Sequence, residues 1–193
     1  MEGGHARCPR CLFPQRVCLC AEIPTITTTT QIVILRHHLE RTRSSNTGRL
    51  AHLALPNSLL LDHGGRLGPP VLPPLAQAWL LYPEGAPCET APVPLPRQLI
   101  VLDATWSQAR RMYRKVSALR GLPMLRLPDV PVPAARLRTS PGPGRVSTIE
   151  AIAGALRLLE GEAVAASLEA LFAVAVGRAV ASGRLPAQGT SPS

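Results

Sequence analysis

Four cysteines near the start of the chain, in Cys8-Pro-Arg-Cys11 and Cys18-Leu-Cys20, place four sulfurs within 13 residues. A C-x-x-C turn brings two thiolates onto one ion and a C-x-C pair can supply two more, so the spacing fits one tetrahedral Zn2+. No histidine or carboxylate joins the set to leave a water position, so such a zinc is structural. Four reduced cysteines without an ion is the plainer reading, and a redox pair or an iron–sulfur cluster the third. Cys88 stands alone in a Pro-rich stretch.

Three further segments carry chemistry. The first, residues 37–48, packs His37, His38, Glu40, Arg41, Arg43, Asn46 and Thr47 behind the apolar run Ile32-Val33-Ile34-Leu35. It is either site material or a polar loop entering a helix. The second is Asp103-Ala104-Thr105-Trp106, directly after Leu99-Ile100-Val101-Leu102. Thr105 with Gln108 fits a capping box, which leaves Asp103 free at a strand end to hold a ligand amine or act as a base. Asp103 as a cap or turn residue is the equal alternative. Trp106 either stacks on a planar ligand or belongs to the apolar stripe Trp106, Ala109, Met112, Tyr113 and Val116. The opposite face carries Arg110, Arg111, Arg114 and Lys115. Its like-charge i,i+4 pairs cost a few tenths of a kcal/mol each; a phosphate backbone would relieve that, although a solvated basic face needs no partner. In the third segment Arg136, Arg138 and Arg145 precede Ser147-Thr148-Ile149-Glu150, a second capping box. Arginines gathered before a helix N-terminus suit a carboxylate or a phosphate.

The elements that must position these groups alternate. Strands are expected over residues 25–35, 58–61, 78–82, 98–102 and 124–127, and helices over 49–55, 107–119, 148–159 and 162–182. This predicts an α/β domain with a mainly parallel sheet, whose ligands sit beyond the carboxyl ends of the strands. Residues 1–24 read as a zinc knuckle and 184–193 as a flexible tail, with a Pro- and Gly-rich excursion over 64–97.

A chain of 193 residues, 46% of them apolar, makes about one domain with a real core. The net charge is +9, with one lysine, Lys115, among 21 cations. Residues 150–193 hold four acids and three arginines, so residues 1–149 carry +10. A basic body of this kind suits a polyanion, most simply nucleic acid. No run reaches the roughly 18 apolar residues of a membrane helix, and the first residues lack an apolar signal core. The expectation is a cytoplasmic protein without a membrane partner, in which cysteines stay reduced.

Taken in order, C-x-x-C…C-x-C, His37-x-x-Glu40…Asn46-Thr47-Gly48, Asp103-Ala104-Thr105-Trp106 and Ser147-Thr148-x-Glu150-Ala151 resemble the DTW-domain family of tRNA-uridine aminocarboxypropyltransferases. His38 departs from the family, which usually has Pro there. The resemblance implies a catalytic domain over residues 25–183, SPOUT-like, whose C-terminal part can be knotted. It implies transfer of the 3-amino-3-carboxypropyl group of S-adenosylmethionine to N3 of a tRNA uridine, releasing methylthioadenosine. It suggests Asp103 as the base or as a ligand of the cofactor amine. Leu102, Thr105, Trp106, Arg138, Ser147, Thr148 and Glu150 would then hold the cofactor. His37, Arg41, Arg43, Asn46, Thr47, Arg110, Arg111 and Arg114 would hold RNA. Two rivals stand beside it: a SPOUT-type RNA methyltransferase, and a non-catalytic zinc-containing RNA-binding module.

Overall fold

The computed structural model describes residues 6–128 and 146–183. Five strands form one sheet: β1 (Gln31–His37), β2 (Ser58–His63), β3 (Ala78–Leu81), β4 (Gln98–Asp103) and β5 (Met124–Leu125). Their order is β2-β1-β4-β3-β5 and every pairing is parallel. The helices are α1 (Thr47–Ala54), α2 (Trp106–Lys115), α3 (Thr148–Glu160) and α4 (Glu162–Ala181).

The strands are apolar on both faces because both faces are covered. Ile32, Ile34, Leu99 and Val101 pack with α1, α3, α4 and the cysteine knuckle, whose Cys11, Phe13 and Leu19 belong to the same cluster. The alternate residues Val33, Leu35, Ile100 and Leu80 pack on Met112 and Val116 of α2 and on Leu119. Ile149, Ile152, Leu156 and Leu159 form the expected stripe of α3, and all four are buried. Each such side chain contributes about 1.5–3 kcal/mol on burial.

Several boundaries differ from the expected ones, three of them for a visible reason. The first strand begins at Gln31 because the backbone N–H groups of Thr29 and Thr30 donate to Glu160 (3.1 and 2.7 Å) instead of to a neighbouring strand. The helix expected to reach residue 119 ends at Lys115; Val116 turns extended and Ser117–Leu119 is a single 3-10 turn. The last strand has two residues, continued only by a bridge from Arg126 to Pro87. The turn between α3 and α4 rests on Gly161, whose φ of 100° suits glycine.

By length and composition α4 is apolar enough to cross a membrane, with a mean hydropathy of 1.7, which corrects the expectation that no stretch qualifies. It lies against α3, burying Leu168, Leu171, Phe172, Ala175 and Val176.

The chain order reverses at β1 and β4. From β1 it moves outward through α1 to β2, and from β4 through α2 past β3 to β5. The gap between the carboxyl ends of two such strands is where open α/β sheets bind ligands. Asn46 follows β1, and Asp103 ends β4.

Candidate active site

Side chains alternate along a strand, so Leu99, Val101 and Asp103 share the face covered by α1 and α3. The structure brings the three separate segments together there. Asp103 is 0% exposed. Its Oδ2 accepts from Asn46 Nδ2 at 2.5 Å and its Oδ1 from Thr148 Oγ1 at 2.7 Å. Asn46 also caps α1, its Oδ1 accepting from the Arg49 N–H at 2.8 Å. Thr47 Oγ1 accepts from the Ile149 N–H at 3.4 Å, a second tie between the starts of α1 and α3. Gly48 completes the packing: a Cβ there would lie 2.6 Å from Asp103 Cγ. The carboxyl of one strand end thus joins two helix N-termini.

Asp103 stands at the strand end as expected and is enclosed, with both oxygens hydrogen-bonded. Burial pushes its pKa up, against the hydrogen bonds from Asn46 and Thr148, and the nearby Glu40 adds to the rise. Asn46 and Thr47, expected on RNA, are 2% and 3% exposed and hold the interior together. Arg36, the register partner of Asp103 on β1, is also buried, and its Nε donates to Asp62 Oδ1 at 2.7 Å.

Beside this brace, at the carboxyl ends of β3, β4 and β5, opens a cleft of about 370 Å3. Leu81, Tyr82, Val101, Leu102, Trp106, Leu127, Ser147 and Thr148 are among the residues that line it. Leu102, Trp106, Ser147 and Thr148, four of the residues expected to hold the cofactor, line this one cleft. Trp106 is half-buried at the cleft, outside both apolar clusters. Thr105 and Glu150 serve the helix starts. The Thr105 N–H donates to Gln108 Oε1 (2.9 Å) and Gln108 returns its N–H to Thr105 Oγ1 (3.4 Å). The Ser147 N–H donates to Glu150 Oε2 at 2.7 Å and Ser147 Oγ faces the Glu150 N–H, the expected capping box, whereas the Ser147 O–H and Glu150 Oε1 find no further partner among the described residues. Arg138, with Arg136 and Arg145, lies outside the described residues, as does the segment 184–193. Arg126, Tyr82 and Leu127 line the cleft without having been anticipated. Only the strand ends, once paired, reveal them.

The cations divide between two sides of α2. Arg110, Arg111, Arg114 and Lys115 are all exposed. Tyr82, which lines the cleft, is raised first by burial, and Arg110 and Arg114 act against that rise. Tyr82 stacks on Tyr113, with ring centroids 5.2 Å apart. Arg111 acts on His37 and Lys115 on His63, at the ends of β1 and β2. His37 Nδ1 accepts from the Leu39 N–H at 3.3 Å, and burial lowers its pKa. Arg41 is 58% exposed, 3.6 Å from Asp62; Arg43 is 49% exposed, 3.5 Å from the buried Glu40.

In the knuckle the four Sγ atoms lie within 4.8 Å of one another. Cys8 and Cys20 are 3.5 Å apart, and Cys11 and Cys18 3.7 Å. A ZnS4 tetrahedron with bonds of about 2.3 Å has edges of about 3.8 Å, so the donor set fits a metal such as zinc. Backbone N–H groups of Cys11 and Arg10 draw the Cys8 thiol down to about 6, while burial pushes Cys20 up to about 12. The knuckle also touches the loop that leads to Asn46. Arg49 Nη1 donates to the Arg10 carbonyl at 3.5 Å, and Arg7 Nη1 to that of Thr42 at 3.4 Å. Cys88 lies elsewhere, its N–H donating to the Arg126 carbonyl at 2.8 Å.

A family model described as the DTW domain matches residues 5–180. A Drosophila melanogaster protein named tRNA-uridine aminocarboxypropyltransferase 2 is 31% identical over 167 residues, covering 80% of this chain and 66% of its own. The Mus musculus protein of the same name is 31% identical, covering 79% of this chain and 56% of its own. In Arabidopsis thaliana, tRNA-uridine aminocarboxypropyltransferase A is 29% identical, covering 82% and 75%. The chain thus spans roughly half to three quarters of the relatives it matches. No solved structure matches it. A family match running from the knuckle through α3 and nearly to the end of α4, over all four motifs, places this chain in the DTW domain family.

Proposed function

We propose that this protein is an enzyme that transfers the 3-amino-3-carboxypropyl group of S-adenosylmethionine to N3 of a uridine in tRNA, releasing methylthioadenosine. The observation that carries the reading is a largely apolar cleft at the strand ends, held by a buried brace built from the family motifs, with exposed Arg110 and Arg114 on the adjoining helix α2. The names of the relatives supply the reaction class.

The carbon beside a sulfonium is already electrophilic, so alignment is the main demand on the protein. The N3–carbon bond forms as the carbon–sulfur bond breaks, the electron pair stays on sulfur, and the weakly acidic N3 proton passes to solvent water. Leu81, Leu102, Leu127 and Trp106 supply apolar walls for the adenosine part, with Trp106 placed to stack on a planar ring. Arg110, Arg114, Arg41 and Arg43 hold tRNA phosphates. Asp103 acts by position: its burial supports a role in fixing Asn46 and Thr148, and so the cleft wall, rather than in taking the proton. The four cysteines hold a structural Zn2+ that anchors the loop to Asn46 through Arg7 and Arg49. The fold is proposed to be SPOUT-like and the location cytoplasmic. Incubation with S-adenosylmethionine and unmodified tRNA tests the reading; absence of an aminocarboxypropyl-uridine product would overturn it.

A further inference from the structure

We propose that Arg126 is the residue that binds the carboxylate of the transferred group and so selects an aminocarboxypropyl donor. This rests on the donor-site reading of the cleft. Among the described residues, Arg126 is the one charged side chain lining a wall that is otherwise largely apolar. A carboxylate taken out of water into such a cleft needs charged or strong donors. Arg126 is held in place rather than adrift. Its Nη1 donates to the Gly85 carbonyl at 3.0 Å, and its backbone is tied to Pro87 and Cys88. The same cleft is lined by Ser147 and Thr148, the cap and first residue of the 13-residue helix α3. Ser147 Oγ is buried there and faces the Glu150 N–H as the capping-box acceptor, with no partner for its own O–H, which leaves that proton to donate to an entering carboxylate. The positive end of the α3 dipole favours the same charge.

The chemistry distinguishes two donors that share adenosine, sulfonium and amine. S-adenosylmethionine carries the carboxylate; its decarboxylated analogue does not. Methylthioadenosine lacks the whole group and reports on the rest of the cleft. The test is calorimetric titration of the full zinc-loaded chain with all three, for the parent protein, Arg126→Gln and Arg126→Lys. The parent is expected to prefer S-adenosylmethionine over the decarboxylated analogue roughly 10- to 100-fold, the scale of a charge-assisted pair. Arg126→Gln is expected to erase that preference while methylthioadenosine affinity stays within about twofold, and Arg126→Lys to restore part of it. Preference retained in Arg126→Gln overturns the assignment, as does an equal loss for methylthioadenosine. A parent protein that binds none of the three overturns the donor-site reading instead.

Discussion

Gly48→Ala probes the brace with a single methyl. In an unobstructed helix this change adds about 1 kcal/mol of helix propensity. Here the new Cβ would lie 2.6 Å from both Cγ and Oδ2 of Asp103 and 3.0 Å from Oδ1. Asp103 is fully enclosed, and both its oxygens are bonded. It moves only by losing Asn46 or Thr148. Overpacking of this kind costs about 1–3 kcal/mol, and a buried polar group left without its partner about 1–3 more. Net destabilisation of about 2–4 kcal/mol is expected, which for a chain of this size lowers Tm by roughly 5–15 °C. Transfer activity falls with it, because the wall carrying Thr148 shifts. Gly177→Ala on α4 is the control, since a Cβ there meets nothing within 4 Å. It is expected to stabilise by about 0.5–1 kcal/mol. Urea unfolding of both variants, with metal content held equal, reads the two signs. A Gly48→Ala protein as stable as the parent, alongside a normal Gly177→Ala control, would refute the brace.

Asp103→Asn separates position from proton transfer. The amide can accept from Asn46 and donate to Thr148, whose hydroxyl turns round, so stability at pH 7 should stay within about 1 kcal/mol of the parent. Burial raises the Asp103 pKa, so its stabilisation is full below the unfolded-state value and is lost as pH rises through the native one. Asp103→Asn, measured by unfolding across pH, is therefore expected to gain on the parent as pH increases. Its transfer rate should fall less than tenfold, whereas a true general base would cost about 10^2–10^4. Elemental analysis is expected to find one equivalent of zinc in the parent and to find it lost in Cys11→Ser, whose 41–46 loop should loosen in hydrogen exchange. Arg110→Ala with Arg114→Ala should weaken tRNA binding and lower the salt slope by about one per lost phosphate contact; an unchanged slope would remove them from the RNA surface.

Signals confined to one short segment were legible in the sequence. The four-cysteine spacing, the capping box at Thr105 and Gln108, and the buried runs of β1 and β4 each depend on neighbours a few residues away. The brace was not legible, because its partners lie 57 and 45 residues from Asp103 and meet only once α1 and α3 pack on one sheet face. The same polar types that suggested surface chemistry at Asn46, Thr47 and Asp103 are what a buried junction of three chain segments requires. Arg126 was missed because nothing local marks it; β5 must pair beside β3 before it reaches the cleft. The threonine run before Gln31 misled because β-branched residues favour strands, yet here their N–H groups meet a carboxylate from α3.

Mass spectrometry of a reaction containing the protein, S-adenosylmethionine and unmodified tRNA tests the central claim most directly. A uridine heavier by one aminocarboxypropyl group, with methylthioadenosine released, is the predicted result. Methylated RNA with S-adenosylhomocysteine, or tRNA bound but unchanged, would contradict it.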